Sequence, residues 1–460
     1  MSSGQQRVAV VGGGIAGLAA AHALVTSGEA DQRPGVVVFE RDDRFGGKLR
    51  TSPFAGHPAI DEGADAFLAR IPWATQLAQQ VGLGEQLVSP AARSAAVWWD
   101  ALHTIPEGLL LGMPTEILAL ARSGLLSWPG KLRAASEPFR RRTSLEPDSL
   151  GEFVRARFGN EVHFRLVDPL IGSIYAADTD HFSLAAVPQI ADLAARGRSV
   201  LITGRRLPKP APTAGPIFQT PSDGMGALAT ATAAVVTAAG GEQRSCTSVD
   251  HLERDGSGWR VNDEYFDGVI MAAPALAASR LLSDHAPETA TVLAAIPTAD
   301  VALVTIAIAA ADWPSRLAGM SGYLVPKPMQ KLVTAASFGS QKWAHWATPG
   351  SVLLRISLGR DGLPALHLSD EQLLAAALHE VGAHLGFELQ PLAQLVTRWP
   401  GAFPQYRPHH STRIQAAEQS LPPGIRLAGA SYHGIGVPAC IRSGQLAAET
   451  MHTFLQPVAQ

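Results

Sequence analysis

The chain has little cysteine. Its 460 residues include two cysteines, Cys246 and Cys440, which lie far apart and form no CxxC pair. This scarcity argues against a disulfide framework and favours a reducing compartment, for which the cytoplasm is the default. The N-terminus agrees, because residues 1–14 (MSSGQQRVAVVGGG) enter a strand pattern without the basic region, apolar region and cleavage site of an export signal.

The sequence also lacks an excess of charge of either sign and lacks long hydrophobic runs. Lys and Arg number 37 and Asp and Glu number 40, for a formal net charge of -3. This balance offers no basic surface for nucleic acid and no acidic tail. The most apolar interior run, residues 301–311 (VALVTIAIAAA), is shorter than the ~20 residues that span a bilayer, so we predict a buried strand. At this length, two or three domains are expected.

Metal sites and nucleophilic triads are not indicated either. His379, Glu380 and His384 resemble an HExxH motif, but the two histidines lie five residues apart and so point about 140° apart around a helix. His409 and His410 form a loop pair without a third ligand at a suitable spacing. No residue stands out as a catalytic base, so we predict no metal and no dedicated catalytic side chain.

Glycine is present in particular places, beginning near the N-terminus. Residues 7–28 (RVAVVGGGIAGLAAAHALVTSG) read as a β-branched strand, a glycine turn and an Ala-rich helix. Gly12, Gly14 and Gly17 form GxGxxG at that turn, where bare backbone and a helix N-terminus can hold a pyrophosphate. Glu40 ends the second strand ~20 residues later, where an acid that binds a ribose hydroxyl is expected. The pattern predicts a dinucleotide-binding unit.

Two further glycine segments bear on which dinucleotide is bound. Residues 44–51 (RFGGKLRT) follow the acid, and adjacent glycines allow close approach of the backbone to a second part of a cofactor. Residues 429–444 (GASYHGIGVPACIRSG) lead a glycine loop into a helix, whose first N–H groups can donate to a partly negative group. Both segments resemble motifs of the flavoproteins of the amine oxidase, phytoene desaturase and protoporphyrinogen oxidase group, which bind FAD. A plain glycine hairpin and a plain docking helix are the alternatives.

Within this group, the sequence is most similar to the porphyrinogen oxidases, and the similarity runs essentially from end to end. Five segments occur in that family's order: EGADAFLAR (62–70), SLGEFVRARFGNEV (149–162), DPLIGSIYAADTDHFSL (168–184), GYLVP (322–326) and VTRWPGAFPQYRPHH (396–410). The resemblance implies an α/β fold with a discontinuous Rossmann-like FAD-binding domain, an α+β substrate domain and a helical lobe, as in flavin amine oxidases.

We assign three parts of the chain to these units. Residues 1–68, 215–280 and 395–460 are expected to form the FAD-binding domain. Residues 69–90, 190–214 and 281–394 are expected to form the substrate-binding domain, and residues 91–189 the helical lobe. The apolar residues 109–126 are predicted to pack in that lobe near the substrate entrance, and helix packing and contact with a membrane surface are both open uses for them.

The resemblance also implies site residues. The cofactor-binding positions are Gly12, Gly13, Gly14, Ile15, Ala16, Gly17, Glu40, Arg41, Gly47, Lys48, Gly63, Ala64, Asp65, Ala66, Val249, Trp399, Ile435, Gly436 and Val437. The substrate positions are Gly172, Ser173, Ser321 and Leu324. Where the family commonly has a basic residue for a substrate propionate, the register gives Ser94 with Arg93 adjacent. Arg93 is our candidate for that role, and an ordinary exposed arginine is the alternative.

The activity implied is oxidation of coproporphyrinogen III to coproporphyrin III in haem biosynthesis, with FAD as hydride acceptor, dioxygen as oxidant and hydrogen peroxide as product. Protoporphyrinogen IX is the alternative substrate. A flavin amine oxidase usually has an aromatic pair at the open face of the ring, which HGIGVPAC (433–440) does not supply. A non-catalytic carrier, as in the Rab escort proteins, would not need RFGGKLRT together with the late loop. We expect no nucleic-acid partner, and the oligomeric state stays open.

Overall fold

The computed structural model describes residues 5–29, 33–92, 94–206 and 215–456. A five-stranded parallel sheet lies at its centre, in the order Glu242–Arg244, Gly35–Phe39, Arg7–Val11, Gly268–Met271 and Ile425–Leu427. The strands come from the beginning, the middle and the end of the chain, so the sheet closes only when distant segments meet. This arrangement confirms the predicted Rossmann-like fold.

Both faces of the parallel sheet are covered, which is why its strands are almost continuously apolar. On one face, Val8 and Val10 pack with the helices Ile15–Thr26, Met225–Ala238 and Val437–Leu455. On the opposite face, Ala9 and Val11 pack with a three-stranded antiparallel sheet and further helices. That second layer comprises the strands Leu252–Asp255, Gly258–Val261 and Glu264–Phe266 and the helices Ala275–Leu282, Pro287–Ala294 and His410–Gln419.

A second, seven-stranded sheet, called here the large sheet, is mostly antiparallel. Its order is Pro391–Pro404, Thr298–Ala309, Ser351–Leu358, Val333–Phe338, Met320–Leu324, Ser94–Trp98 and Leu102–Thr104, with one parallel pair between Met320–Leu324 and Ser94–Trp98. The helix Asp370–Leu385 covers one face. The strand Thr298–Ala309 confirms the buried strand predicted from the apolar run.

The helical lobe surrounds a separate core. Its helices are Ile117–Arg122, Trp128–Ala135, Leu150–Phe158, Asn160–Val162, a π-helical segment His163–Val167, Asp168–Tyr175, Pro188–Arg196 and Val200–Arg206. Residues 109–126 contribute to that core, but they include a small hairpin, Leu109–Leu110 with Met113–Pro114, as well as a helix. No helix within the described ranges combines the length and the apolar character that crossing a bilayer requires.

Short elements join these units. They are the hairpin Thr51–Phe54 with His57–Asp61, the strands Phe67–Leu68, Leu87–Val88 and Phe218–Pro221, the helices Pro72–Gln80 and Gly339–Lys342, and the 3-10 turns Gly84–Gln86, Glu137–Phe139, Ala310–Asp312, Ser315–Leu317, Lys327–Met329 and Ala344–Trp346. The expected domain boundaries stay predictions, although two strands do not follow them. Ser94–Trp98 was assigned to the lobe yet pairs with the large sheet, and Pro391–Pro404 passes through the boundary at 395 as one strand.

Candidate functional site

The three glycines of the first loop have different surroundings. Gly12 has φ +111°, and a Cβ there would lie 2.8 Å from the backbone of Ala272. A Cβ at Gly17 would lie 2.0 Å from the carbonyl oxygen of Gly12. A Cβ at Gly14, in contrast, would have no heavy atom within 4 Å. Gly12 and Gly17 are therefore required by the turn and its packing, whereas Gly14 faces open space at the N-terminus of the helix Ile15–Thr26.

The second glycine loop lies directly against the first. The amide of Gly46 donates to the carbonyl of Gly13 at 2.8 Å, and a Cβ at Gly47 would lie 3.2 Å from Cα of Gly14. Gly46 and Gly47 have φ values of +106° and +54°, in the range that favours glycine. The first and second glycine loops are separated in sequence by the helix Ile15–Thr26 and the strand Gly35–Phe39, yet they form one continuous backbone surface.

Glu40 holds this surface in place. Its Oε2 accepts from the amide of Gly13 at 2.8 Å and its Oε1 from the amide of Asp42 at 3.0 Å. Each oxygen keeps a lone pair for a ribose hydroxyl. The carbonyl of Glu40 accepts from the amide of Thr247 at 2.8 Å, which brings the partly buried Val249 to the same end of the sheet. Arg41 is exposed, with an ion pair to Asp42 at 3.4 Å.

Residues 62–66 connect the glycine loops to the large sheet. Trp399 donates from Nε1 to the carbonyl of Glu62 at 2.7 Å, and a Cβ at Gly63 would lie 2.4 Å from the carbonyl oxygen of Lys48. Arg355 donates to the carbonyl of Gly63. The structure thus brings the predicted positions Lys48, Gly63 and Trp399 together, and it extends the segment through Ala64 to Ala66, which packs beside Trp343 and Trp346.

Asp65 is the centre of a charged group that sequence reasoning missed. Its Oδ2 accepts from Lys342 Nζ at 2.8 Å and Trp343 Nε1 at 3.1 Å, and Arg355 Nη1 lies at 3.3 Å. Burial alone would raise the pKa of Asp65, but the charges of Lys342 and Arg355 hold that pKa well below its usual range. Lys342 and Arg355 are isolated basic residues in the sequence, so no local pattern indicated them.

The late loop returns to the first helix. A Cβ at Gly444 would lie 2.1 Å from the carbonyl oxygen of Ala16, so the helix Val437–Leu455 crosses Ile15–Thr26 at a glycine contact. Gly436 precedes the first residue of that helix. No described residue accepts a hydrogen bond from the amides of Ile435 and Gly436. Free amides, followed by a helix N-terminus, form a donor surface for a partly negative group.

Lys48 shows that these segments enclose a cleft. Its side chain is accessible to solvent, yet burial among the surrounding protein atoms lowers its pKa. Within the described ranges it has no hydrogen-bond or ion-pair partner. The buried thiol of Cys440, in the first turn of the late helix, lies close enough to act on that pKa. A lysine without a partner, open space at Gly14 and free amides at Ile435 and Gly436 together fit a dinucleotide with an anionic pyrophosphate.

The described substrate positions lie on two elements that contact each other. Ser321 donates from Oγ to the carbonyl of Ser94 at 2.9 Å, and Leu324 is partly buried on the same strand, Met320–Leu324. Gly172 and Ser173 lie on the helix Asp168–Tyr175, which packs against that strand.

Gly172 and Ser173 are also constrained by contacts within the protein. A Cβ at Gly172 would lie 2.9 Å from Nη1 of Arg360, and Ser173 donates to the carbonyl of Pro169 at 2.5 Å. Arg93 lies outside the described residues, and its role stays a prediction.

Two residues of the HExxH-like segment, His384 and Glu380, have structural partners. Tyr323 Oη and His384 Nδ1 lie 3.0 Å apart, and Glu380 accepts from the amides of Leu332 and Val333. Burial lowers the pKa of His384 to about 4. No group of three or more His, Cys, Asp or Glu side chains with metal-binding geometry occurs in the described part of the chain.

Comparison with known proteins agrees with this geometry. Residues 15–452 match the family of flavin containing amine oxidoreductases. The chain is 31% identical to the coproporphyrinogen III oxidase of Bacillus subtilis (strain 168), over 99% of this chain and 100% of that protein. It is 34% identical to the coproporphyrinogen III oxidase of Mycobacterium tuberculosis (strain ATCC 25618 / H37Rv), over 94% of both chains. A solved structure from Exiguobacterium sp. 255-15 superposes with a TM-score of 0.85 at 30% identity, over 98% of this chain and 99% of that chain.

The parallel sheet, the paired glycine loops and the returning late helix define a dinucleotide-binding flavoprotein oxidase. The chain belongs to the flavin containing amine oxidoreductase family and, within it, to the group of the porphyrinogen oxidases. Its cofactor is FAD, as the sequence predicted.

Proposed function

We propose that this protein oxidises coproporphyrinogen III to coproporphyrin III. In each of three two-electron rounds, one dioxygen is consumed and one hydrogen peroxide is released. The observation that carries the proposal is the cleft between the glycine loops and the large sheet, in a chain similar to coproporphyrinogen III oxidases over nearly its whole length. FAD, when bound, supplies the acceptor for a hydride from a bridging methylene of the macrocycle.

The chain's own residues would bind and orient this cofactor. Gly14 leaves room for the pyrophosphate, and Lys48 places a positive charge in the same cleft. Glu40 fixes the loop and retains lone pairs for the ribose. The free amides of Ile435 and Gly436 would donate to the ring where it becomes negative on reduction. No protein group needs to become covalently attached in this scheme.

On the substrate side, the proposal places the macrocycle between Asp168–Tyr175 and Met320–Leu324. Four carboxylates suit a polar rim that basic side chains orient, whereas two vinyl groups require a drier pocket. Lys342 and Arg355 share the single carboxylate of Asp65, so this group carries one positive charge that is not balanced within it. Asp61 also acts electrostatically on Arg355, so the preference for a substrate with more carboxylates rests on the similarity to coproporphyrinogen III oxidases.

The test is a comparison of substrates on FAD-loaded protein. Peroxide release and porphyrin fluorescence are measured at equal concentrations of coproporphyrinogen III, protoporphyrinogen IX and a primary amine. We expect the highest catalytic efficiency with coproporphyrinogen III. Faster oxidation of protoporphyrinogen IX would make the protein a protoporphyrinogen IX oxidase instead. Oxidation of the amine alone would make it an amine oxidase. A colourless protein that cannot be loaded with FAD would support a non-catalytic carrier.

The proposal also places the protein in the cytoplasm, in peripheral contact with a membrane surface. The helix Trp128–Ala135 and the turn after it expose Trp128 by 75% and Phe139 by 86%, and Arg140, Arg141 and Arg142 follow. Exposed aromatic side chains next to basic ones suit an anionic lipid surface. Co-sedimentation with anionic liposomes, compared with a Trp128→Ser/Phe139→Ser variant, tests this contact. Equal sedimentation of both proteins would leave these side chains without that role.

A further inference from the structure

Tyr406 lies where the large sheet, the helical lobe and the late loop meet. It follows the strand Pro391–Pro404 and is 3% exposed. Its backbone is fixed on both sides, because its carbonyl accepts from the amide of Ser183 at 2.7 Å and the preceding amide, of Gln405, donates to Pro297 at 2.8 Å. The position of the ring is therefore set by two units of the fold.

Aromatic neighbours fix the ring itself. It stacks on His410 with 3.9 Å between ring centroids and 10° between planes, and it lies parallel to Phe182 at 6.2 Å. Burial lowers the pKa of His410 to about 4, so this neighbour is uncharged near neutral pH. A buried ring that is stacked on one neighbour and parallel to another leaves its hydroxyl little freedom to move.

The hydroxyl of Tyr406 joins both ends of one bend in the late loop. It donates to the carbonyl of Ala430 at 2.5 Å and accepts from the amide of Gly434 at 2.8 Å. Gly429 and Gly434 have φ values of +121° and +136°, so the bend is flanked by glycines, whose backbone changes conformation at little cost. Burial raises the pKa of Tyr406, and the hydroxyl keeps the proton that it donates.

The free amides follow this anchor at once. Ile435 and Gly436 are the next two residues after Gly434, and neither has a described acceptor. Their direction depends on where the bend is held. We propose that Tyr406 is a positioning residue, which aims the amides of Ile435 and Gly436 at the flavin ring and thereby raises its reduction potential.

This inference rests on the proposed placement of FAD but requires no porphyrinogen. Donors that are fixed in advance stabilise the negative charge of the reduced ring, and a loose loop loses part of that effect. One weakened hydrogen bond to a charged group corresponds to about tenfold in the equilibrium between oxidised and reduced forms. For a two-electron couple, that change is about 30 mV.

Two variants make a matched pair. Tyr406→Phe removes a hydroxyl that bridges the bend. Tyr432→Phe removes a hydroxyl from the same loop that is equally buried, at 1% exposure of the residue, and has no partner among the described residues. Each change deletes one oxygen from a buried ring, so the comparison isolates the bridge.

The measurement is a reductive titration of FAD-loaded protein with a reference dye, together with the flavin absorbance spectrum and the affinity for FAD. We expect a potential about 30 mV lower in Tyr406→Phe, with a shifted spectrum, and wild-type values in Tyr432→Phe. A loss of thermal stability in Tyr406→Phe at an unchanged potential would mean a purely structural role and overturn the proposal. Equal shifts in both variants would also overturn it.

A second variant keeps the test decisive if Tyr406→Phe does not load FAD. His410→Leu retains the hydroxyl and removes the stacked ring, so it should lower the potential by a smaller amount. An unchanged potential in His410→Leu would then count against the proposal. Because no porphyrinogen enters these titrations, a shifted potential in a protein that oxidises no porphyrinogen would sustain this inference while the proposed function fails.

Discussion

At the scale of single residues, Gly14 and Gly17 belong to one motif but are needed for different reasons, Gly14 for cofactor binding and Gly17 for folding. We predict that Gly14→Val leaves the apoprotein as stable as wild type and abolishes FAD binding, because its backbone is extended and a Cβ there meets no protein atom. Gly17→Val should instead destabilise the apoprotein, because its Cβ would overlap the carbonyl of Gly12. Flavin absorbance per protein and thermal unfolding of the apoproteins distinguish the two. A yellow Gly14→Val protein would show that the pyrophosphate lies elsewhere.

A buried carboxyl gives a second prediction at this scale. Asp61 is 0% exposed, its Oδ1 accepts from Thr51 and Met225, and no described residue bonds to its Oδ2. Burial raises its pKa to about 6. The folded state thus favours protonated Asp61. The loss of folding stability that comes from ionising Asp61 is absent near pH 4 and complete above pH 6.

Asp61→Asn keeps the acceptor oxygen and removes this titration. The variant should gain stability relative to wild type at pH 8, by up to about 3 kcal/mol, and the gain should shrink at pH 5. Urea unfolding of both proteins at the two pH values, at equal FAD concentration, measures the difference. A gain that is the same at both pH values would assign it to something other than proton uptake by Asp61.

At the scale of elements, local patterns were predictable and contacts between distant segments were not. The strand Arg7–Val11, its glycine loop and the helix Ile15–Thr26 follow from adjacent residues, and they occur as predicted. Ser94–Trp98 was assigned to the helical lobe because its pairing with Met320–Leu324 depends on residues more than 200 positions away. The roles of Tyr406 and Arg355 were missed for the same reason.

The candidate site divides in the same way. The glycine loops could be recognised because each needs glycine for its own backbone. The charged group around Asp65 could not be recognised. Lys342 ends the helix Gly339–Lys342 and Arg355 lies on the strand Ser351–Leu358, so both are distant from Asp65 in sequence. Resemblance to a family supplied the late loop, whereas the hydroxyl that anchors this loop became visible only when the fold placed Tyr406 beside it.

The 3-10 turn Glu137–Phe139 of the helical lobe is held by a buried ion pair. Glu137, in a 3-10 turn, pairs with Arg157 and also accepts from Ser199 Oγ and the amides of Val200 and Leu201. Glu137→Ala should cost about 3–5 kcal/mol, because Arg157 is left buried without a counterion. The Glu137→Met/Arg157→Met double variant should recover most of this loss. Thermal unfolding measures both, and a double variant as unstable as Glu137→Ala would assign the effect to the lost amide contacts.

At the scale of the whole molecule, the candidate cofactor cleft lies where independently packed layers meet. The parallel sheet supplies the glycine loops, the large sheet supplies Trp399 and Arg355, and the lobe supplies the helix Asp168–Tyr175. The lobe and the large sheet are joined by buried Arg360, which pairs with Asp168 at 2.9 Å. Conditions that charge buried groups near these junctions should therefore affect the assembled protein as a whole.

Acid is such a condition, and His163 is the clearest case. It is fully buried, Arg155 can only donate to its Nδ1 at 3.2 Å, and Nε2 therefore carries the proton toward Thr179 at 2.9 Å. Burial lowers its pKa to about 4, despite the opposing charges of Asp168 and Asp180. The unfolded chain takes up the proton first, so stability that is complete above pH 6.5 is lost progressively down to about pH 4.

The predicted loss is roughly 3 kcal/mol at pH 4 for this one group. Glutamine can accept from Arg155 and donate to Thr179 without titrating, so His163→Gln should lose less stability than wild type between pH 7.5 and pH 4.5. Melting temperatures across that range, compared as differences between the two proteins, cancel the contributions of Asp61 and of the other buried histidines. Parallel curves would mean that His163 does not take up a proton on unfolding, and the acid sensitivity of the protein would then have to arise at His384 or His410, whose pKa values burial also lowers to about 4.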